Sequence, residues 1–279
     1  MADITPALVA QLREVSGAGL MDCKKALTQT GGDLQAAVDL LRKQSKIKGE
    51  TRSARDAREG VIAQHINAGG KVGLLVEVNC ETDFVAKNET FREFADGIAR
   101  KLAADPNANL EADRVDAFTK IRENIQIPRF HRIEVQGSGC VAAYIHTGAK
   151  VGVLVEVGAG KDATTQHDDF KQLVRDITLQ IAAASPVAVS REQVDPAIIA
   201  KERDIAAEQV KGKPPQAIAK IVEGKLDKYF QTHCLLDQGF VKANGEITVR
   251  EQVNRVAKQL GDDITVRRFV RFQVGERAA

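Results

Sequence analysis

The strongest constraint on the fold of this chain is an internal duplication. The segment GVIAQHINAGGKVGLLVEVNCETD, starting at Gly60, aligns without gaps on GCVAAYIHTGAKVGVLVEVGAGKD, starting at Gly139. Lys71-Val72-Gly73 recurs as Lys150-Val151-Gly152 and Leu75-Val76-Glu77-Val78 as Leu154-Val155-Glu156-Val157, while Gly60, Gly69 and Asp83 are answered by Gly139, Gly148 and Asp162. A repeat of this kind builds the same structural unit twice. Each copy has two β-branched runs joined by a glycine-bearing turn, Gly69-Gly70 or Gly148-Ala149, the pattern of a β-hairpin. A helix follows each hairpin, with Phe91, Ile98 and Leu102 on one face in the first copy and Phe170, Ile177 and Ile181 at the same offset in the second. The predicted fold class is α+β, with two related core subdomains, 60–138 and 139–279, in which helices cover a sheet. Between the copies, 112–126 reads as a helix and FHRIEV as a strand leading into the second unit.

Residues 1–45 carry start and stop signals at close spacing and predict three short helices. Thr5-Pro6 is an N-cap followed by proline at the first helical position, and Leu8, Val9, Leu12 and Val15 form a stripe that stops at Gly17. A second helix runs from Met21 to the Gly31-Gly32 break, and Asp33 caps a third, with Leu34, Ala37, Val38 and Leu41 at helical spacing. So small a unit leaves apolar surface exposed for a partner. Residues 46–59 contain KIKGETRSARDARE, a solvated linker, a polar helix or a basic patch. The second copy is interrupted at about 187–230 by two helical patterns around the breaker GKPPQ. They form a helical hairpin in which Ile198, Ile199, Ile205, Ile218, Val222 and Leu226 are available for mutual packing. The chain then returns through a Thr248-capped helix to Leu260. It ends in ITVRRFVRFQV, where Ile264, Val266, Val270, Phe272 and Val274 alternate as in a strand rejoining the sheet.

Composition excludes several function classes. The 40 basic residues are nearly balanced by 38 acidic ones, for a net charge of +2, too even for a protein whose main work is neutralising nucleic-acid phosphates. No apolar run approaches the length of a membrane span, and the start, MADITPALVAQLREVSG, lacks the basic and apolar regions of an export signal, so a cytoplasmic location is expected. Cys23, Cys80, Cys140 and Cys234 form no C-x-x-C pair, which predicts reduced thiols, no zinc site and no disulfide framework. The five histidines show no metal-ligand spacing and no hydrolase or phosphate-loop motif is present, so neither an enzyme nor a cofactor is expected. The glycines of AGGKVG sit inside a hairpin, with no helix N-terminus behind them to hold a phosphate.

Function is sought where the two copies differ, because shared positions answer to the common fold. Thr82-Asp83-Phe84-Val85 in the first copy faces Lys161-Asp162-Ala163-Thr164 in the second, so the fold does not require Phe84. Two readings stay open. Phe84 packs back on its own hairpin, or it is an exposed wedge, a rigid aromatic suited to a partner's pocket. His146, at the start of the corresponding turn of the second copy, is either a surface turn residue or a partner contact.

LREVSGAGLMDCKKAL with GDLQAAVDLLRK, then EVNCETDFVAKN, YIHTGAKVGVLVEV and a terminal RFQVGE, resemble in order and over nearly the whole chain the bacterial translation elongation factor Ts family. These are guanine-nucleotide exchange factors for the GTPase EF-Tu. The resemblance implies a ubiquitin-associated (UBA)-like N-terminal domain, a two-subdomain core and a coiled-coil insertion. It also implies that Thr82, Asp83, Phe84 and Val85 dislodge Mg²⁺ from EF-Tu. By matching position, Arg13, Leu20, Met21 and Lys24 of the N-terminal module contact the GTPase domain, and His146, Gly148 and Val241 meet another domain of EF-Tu. Leu20 stands where methionine is frequent, a volume-conserving swap. Family members often continue past VGEG into a C-terminal helical module, whereas this sequence ends GERAA. The alternative function is a non-catalytic adaptor recruiting a partner through the N-terminal module, with the core as scaffold.

Overall fold

The computed structural model describes residues 4–52, 56–212 and 214–276. Helix α1 (Pro6–Ser16) starts where the Thr5 hydroxyl accepts the Leu8 N–H at 3.2 Å and stops at Gly17, which takes the left-handed φ of 67°. Helices α2 (Leu20–Gln29) and α3 (Leu34–Arg52) follow, the latter capped by Asp33, which accepts the Ala36 N–H at 2.9 Å. Leu12, Cys23, Leu27, Ala37 and Leu41 close a small core. Val15, expected in that stripe, is 62% exposed, because the chain turns away at Gly17 and α2 brings nothing over it. Helix α3 carries the first part of the expected linker as helix, through Arg52. Residues 53–55 of that linker, Lys213 of the expected breaker and the terminal 277–279 lie outside the described residues.

The first half of the core consists of β1 (Glu59–Ile66), β2 (Val72–Cys80), α4 (Asp83–Lys87), α5 (Glu89–Ala104), α6 (Glu111–Ile121) and β3 (Gln126–Glu134). The second consists of β4 (Gly139–Ile145), β5 (Val151–Ala159), a 3₁₀ turn at Asp162–Gln166, α7 (Asp168–Ala184), the inserted pair α8 (Pro196–Glu208) and α9 (Pro215–His233), then α10 (Val249–Leu260) and β6 (Ile264–Gln273). The sheets are antiparallel, in the orders β1-β2-β3 and β4-β5-β6. Helix α6 ends earlier than the sequence pattern predicts, because Arg122 adopts φ 65° and turns the chain. The strand after it is not a lead into the second unit: it pairs with β2 and completes the first sheet.

The two third strands extend the duplication. ENIQIPRFHRIEV (123–135) aligns without gaps on DDITVRRFVRFQV (262–274), and each strand shifts register at the same place, opposite Glu77/Asn79 or Glu156/Val157. In β3 the irregularity accommodates Pro128, which has no N–H to give the ladder. In β6 the extra residue is Arg267, and the expected alternation changes face there. Ile264 and Val266 pack towards α7 and α10, while Val270, Phe272 and Val274 pack between the sheets.

The halves meet sheet to sheet, and the backbone hydrogen bonds at the junction are reciprocal. Ile62 N–H donates to Ala149 O and Val141 N–H to Gly70 O across the junction, both at 2.7 Å. This is the self-complementary pattern of a two-fold interface, here within one chain. It explains the shared glycines near the start of β2 and β5. A Cβ on Gly73 would lie 2.1 Å from Val141 Cγ1, and one on Gly152 would lie 2.5 Å from Ile62 Cγ2.

In the inserted hairpin Ala206, Val210, Val222 and Leu226 are buried against Ile199 and Ile218. Ile198 and Ile205, expected to join them, are exposed, since each precedes an inward residue and so points about 100° away around the helix. Among the described residues no helix is long and apolar enough to cross a membrane.

Candidate functional site

Strand β2 ends at Cys80 and, after two intervening residues, the chain enters α4 at Asp83. The Thr82 hydroxyl caps α4 by accepting the Val85 N–H at 3.3 Å. Val85 packs against the first core and Ala86 is buried in it, which leaves Phe84 pointing outward, 80% exposed. The reading in which Phe84 packs on its own hairpin is therefore overturned. Asp83 pairs with Lys87 one turn on at 2.7 Å, and that hydrogen bond holds its carboxyl below the usual range. Beneath the turn, burial pushes the Cys80 thiol up to about 12, so it stays protonated; it donates to Thr82 O at 3.2 Å.

A carboxylate from outside the turn fixes it. Glu123 Oε2 accepts the N–H groups of Glu81 and Thr82 at 2.9 and 3.0 Å, and Oε1 accepts the Thr82 hydroxyl at 2.6 Å. In the second half Asp262 does the same work. Its Oδ2 accepts the Lys161 N–H at 3.0 Å and the Thr164 hydroxyl at 2.5 Å. The residue exposed at the Phe84 position there is Ala163.

The other candidate residues fall into two groups. Arg13 is exposed on α1, and Leu20, Met21 and Lys24 are exposed on the first turns of α2, at spacings that share a face. Met21 and Lys24 also border a shallow groove with Lys25, Thr28 and Gln29. His146 and Val241, distant in sequence, line one concavity of about 400 Å³ with Tyr144, Asp176 and Lys242. Gly148 lies on the hairpin turn that His146 opens, at φ 86°. Tyr144 Oη lies 3.0 Å from His146 Nδ1. The loop bearing Val241 is fixed by buried Gln180, whose Oε1 accepts the Val241 N–H at 2.8 Å while its Nε2 donates to Gln238 Oε1 at 3.1 Å.

A family model described as Elongation factor TS matches residues 81–276, beginning one residue before the Thr82 cap. Proteins named Elongation factor Ts match nearly end to end. That of Symbiobacterium thermophilum is 43% identical over 285 residues, covering 99% of this chain and 93% of its own. That of Nitratidesulfovibrio vulgaris is 39% identical over 280 residues, covering 99% and 97%. That of Clostridioides difficile is 42% identical over 294 residues, covering 99% and 94%.

The chain belongs to the elongation factor Ts family.

Sequence reasoning missed Glu123 and Asp262. A signal for both existed: each stands at the head of the 13-residue echo that becomes the third strand, and Asp262 follows Glu123 by the same 139 positions that separate Arg268 from Arg129. The buried acids Glu77 and Glu156 were visible only as shared positions. Arg129 Nε donates to Glu77 and Arg268 Nε to Glu156, each at 2.7 Å, so the echo also places the arginines that neutralise them.

Proposed function

We propose that the chain is a guanine-nucleotide exchange factor for EF-Tu in the cytoplasm, acting in protein biosynthesis without catalytic chemistry or a cofactor of its own. The observation that carries the mechanism is Phe84, exposed at the start of a capped, clamped helix in one half of the core and replaced by alanine in the other. Bound GDP is held by contacts to its phosphates and by a Mg²⁺ that bridges oxygen ligands, so release follows when those contacts are weakened. Phe84 enters between elements of EF-Tu and shifts the magnesium-binding segment. Thr82 and Val85 hold the turn, and the Asp83–Lys87 pair fixes its geometry. No metal binds to this chain in that scheme.

Arg13, Leu20, Met21 and Lys24 contact the GTPase domain, and His146, Gly148 and Val241 seat a second domain. The exposure of the first set and the convergence of His146 and Val241 on one concavity support that division. The reading assigns 1–45 to a UBA-like domain, 46–59 to a linker, and 60–138 and 139–279 to the core subdomains, with a coiled coil inserted at about 187–230. The factor binds both GDP-bound and nucleotide-free EF-Tu, and needs neither nucleic acid nor membrane. Linkage makes the effect reciprocal: each tenfold weakening of GDP, about 1.4 kcal/mol, is an equal weakening of the factor by GDP.

The exposed Val15, Leu20 and Met21 favour a second reading, an adaptor that recruits a partner through the N-terminal module. Mixing the chain with EF-Tu loaded with fluorescent GDP separates the two. Exchange predicts release accelerated in proportion to added protein; binding without acceleration would leave only the adaptor.

A further inference from the structure

Glu123 lies in a three-residue bracket, 122–124, that touches two separate surfaces. Arg122, held in the left-handed conformation, reaches back to α2 and donates from Nη2 to Asp22 Oδ2 at 2.6 Å. The approach is close enough that a Cβ on Gly19 would lie 2.4 Å from the same guanidinium nitrogen. The next residue, Glu123, accepts all three donors at the entrance to α4, and the Asn124 N–H donates to Glu81 Oε1 at 2.7 Å. Thr82 is thus held from both sides. Its hydroxyl donates to Glu123 while accepting the Val85 N–H, so the direction of the first turn of α4, and with it the Phe84 Cα–Cβ bond, depends on where the Glu123 carboxylate sits.

We propose that Glu123 is the positioning residue of the exchange site: it fixes the Phe84 turn against the end of α6, and so against the exposed face of α2. The inference rests on the reading of Phe84 as the wedge. An exposed aromatic on a five-residue helix has little packing of its own to hold it, and charge-assisted hydrogen bonds supply the missing restraint. A wedge requires it, because productive contacts tolerate only about 0.5 Å of misplacement. Asp262 supplies the matched comparison, holding the equivalent turn where no aromatic is carried.

The test measures fluorescent GDP release from EF-Tu over a range of factor concentrations. For Glu123→Ala the maximal rate falls by about tenfold, well within the roughly 100-fold that a 1 Å displacement can cost, while the half-saturating concentration changes little. Glu123→Gln, which keeps one acceptor oxygen for the Glu81 and Thr82 N–H groups but loses the charge and the second acceptor, recovers part of the rate. Asp262→Ala loses thermal stability as Glu123→Ala does but keeps the wild-type rate. In a Phe84→Ala background, Glu123→Ala slows release no further. A wild-type maximal rate for Glu123→Ala, or an undiminished additional effect in the Phe84→Ala background, would overturn the proposal. Should Glu123→Ala fail to fold, Thr82→Val removes one of the three hydrogen bonds to Glu123 together with the cap on the Val85 N–H, and must show a maximal rate lowered at least as far. A second readout does not depend on EF-Tu: in the isolated chain, Glu123→Ala speeds amide hydrogen exchange across 81–87 and leaves 160–166 unchanged. Unaltered protection at 81–87 contradicts the clamp even if the chain released no GDP, a result that would separately refute the functional reading.

Discussion

The turn at Asp83–Lys87 and the turn at Asp162–Gln166 stand at the same place in the two halves, each leaving a central strand and each held by a carboxylate from the head of the third strand. Their outward faces differ. Asp162 crosses the pseudo-two-fold axis to pair with Lys71 at 3.0 Å. Asp83 pairs locally with Lys87, and Lys150, the counterpart of Lys71, pairs with Glu59 instead. The second turn is thus tied to the opposite half and carries Ala163; the first is released from it and presents Phe84. Duplication gave both halves the same demand for a strand end and a clamp, while the side-chain cap at Thr82 has no counterpart at Lys161. The solvent-facing residue and its neighbouring ion pair diverged, and the proposed exchange mechanism rests on that difference.

The symmetric part of that comparison can be broken where the sheets touch. Gly73→Ala and Gly152→Ala each force a methyl into the opposing sheet and should each lower stability by about 3 kcal/mol, in equal measure if the interface is two-fold. Denaturant unfolding of both variants checks this, and a loss in only one would show that the halves do not share the packing. A smaller effect sharpens the comparison of the buried acids. Glu77 is met by Arg129 and the Gly275 N–H, Glu156 by Arg267 and Arg268. Burial alone would raise the Glu156 carboxyl, but the hydrogen bonds from Arg267 and Arg268 outweigh it and hold it below the ordinary range. A carboxyl depressed in the folded state adds stability above its unfolded value and loses it as pH falls through the folded one. Glu156→Gln should therefore cost about 2 kcal/mol at neutral pH. Thermal melts across pH should show that gap constant at neutral pH and closing below about pH 4.3; a gap independent of pH would contradict the assignment.

Much of this was legible in the sequence because local chemistry announced it. Thr5, Asp33 and Thr248 cap the helices they were expected to cap, and Phe91 and Phe170 are buried at corresponding places. The third strands were only half legible. Their echo runs at an offset of 139 where the hairpins repeat at 79, since the inserted helices lengthen the second copy, and a search at one offset passes over it. The face change in β6 was hidden because one extra residue, Arg267, inverts the alternation without altering the composition. At the site, the position of Phe84 could be read from the difference between copies, but its support could not. Glu123 acts through a contact across 41 positions, in a loop with no motif of its own. His146 and Val241 meet only through the folded path that Gln180 fixes.

The central claim is that exchange resides in one turn of a duplicated scaffold, and moving the aromatic tests it most directly. Ala163→Phe placed in a Phe84→Ala variant restores the residue at the equivalent exposed position of the other half. GDP release from EF-Tu should remain as slow as in Phe84→Ala alone, at least about tenfold below wild type, a loss of ~1.4 kcal/mol or more, with the unfolding midpoint nearly unchanged. The two turns are related by the internal two-fold, so the transplanted ring faces another part of the partner. Recovery of the wild-type rate by Ala163→Phe would contradict the account, because it would mean that the two halves are interchangeable.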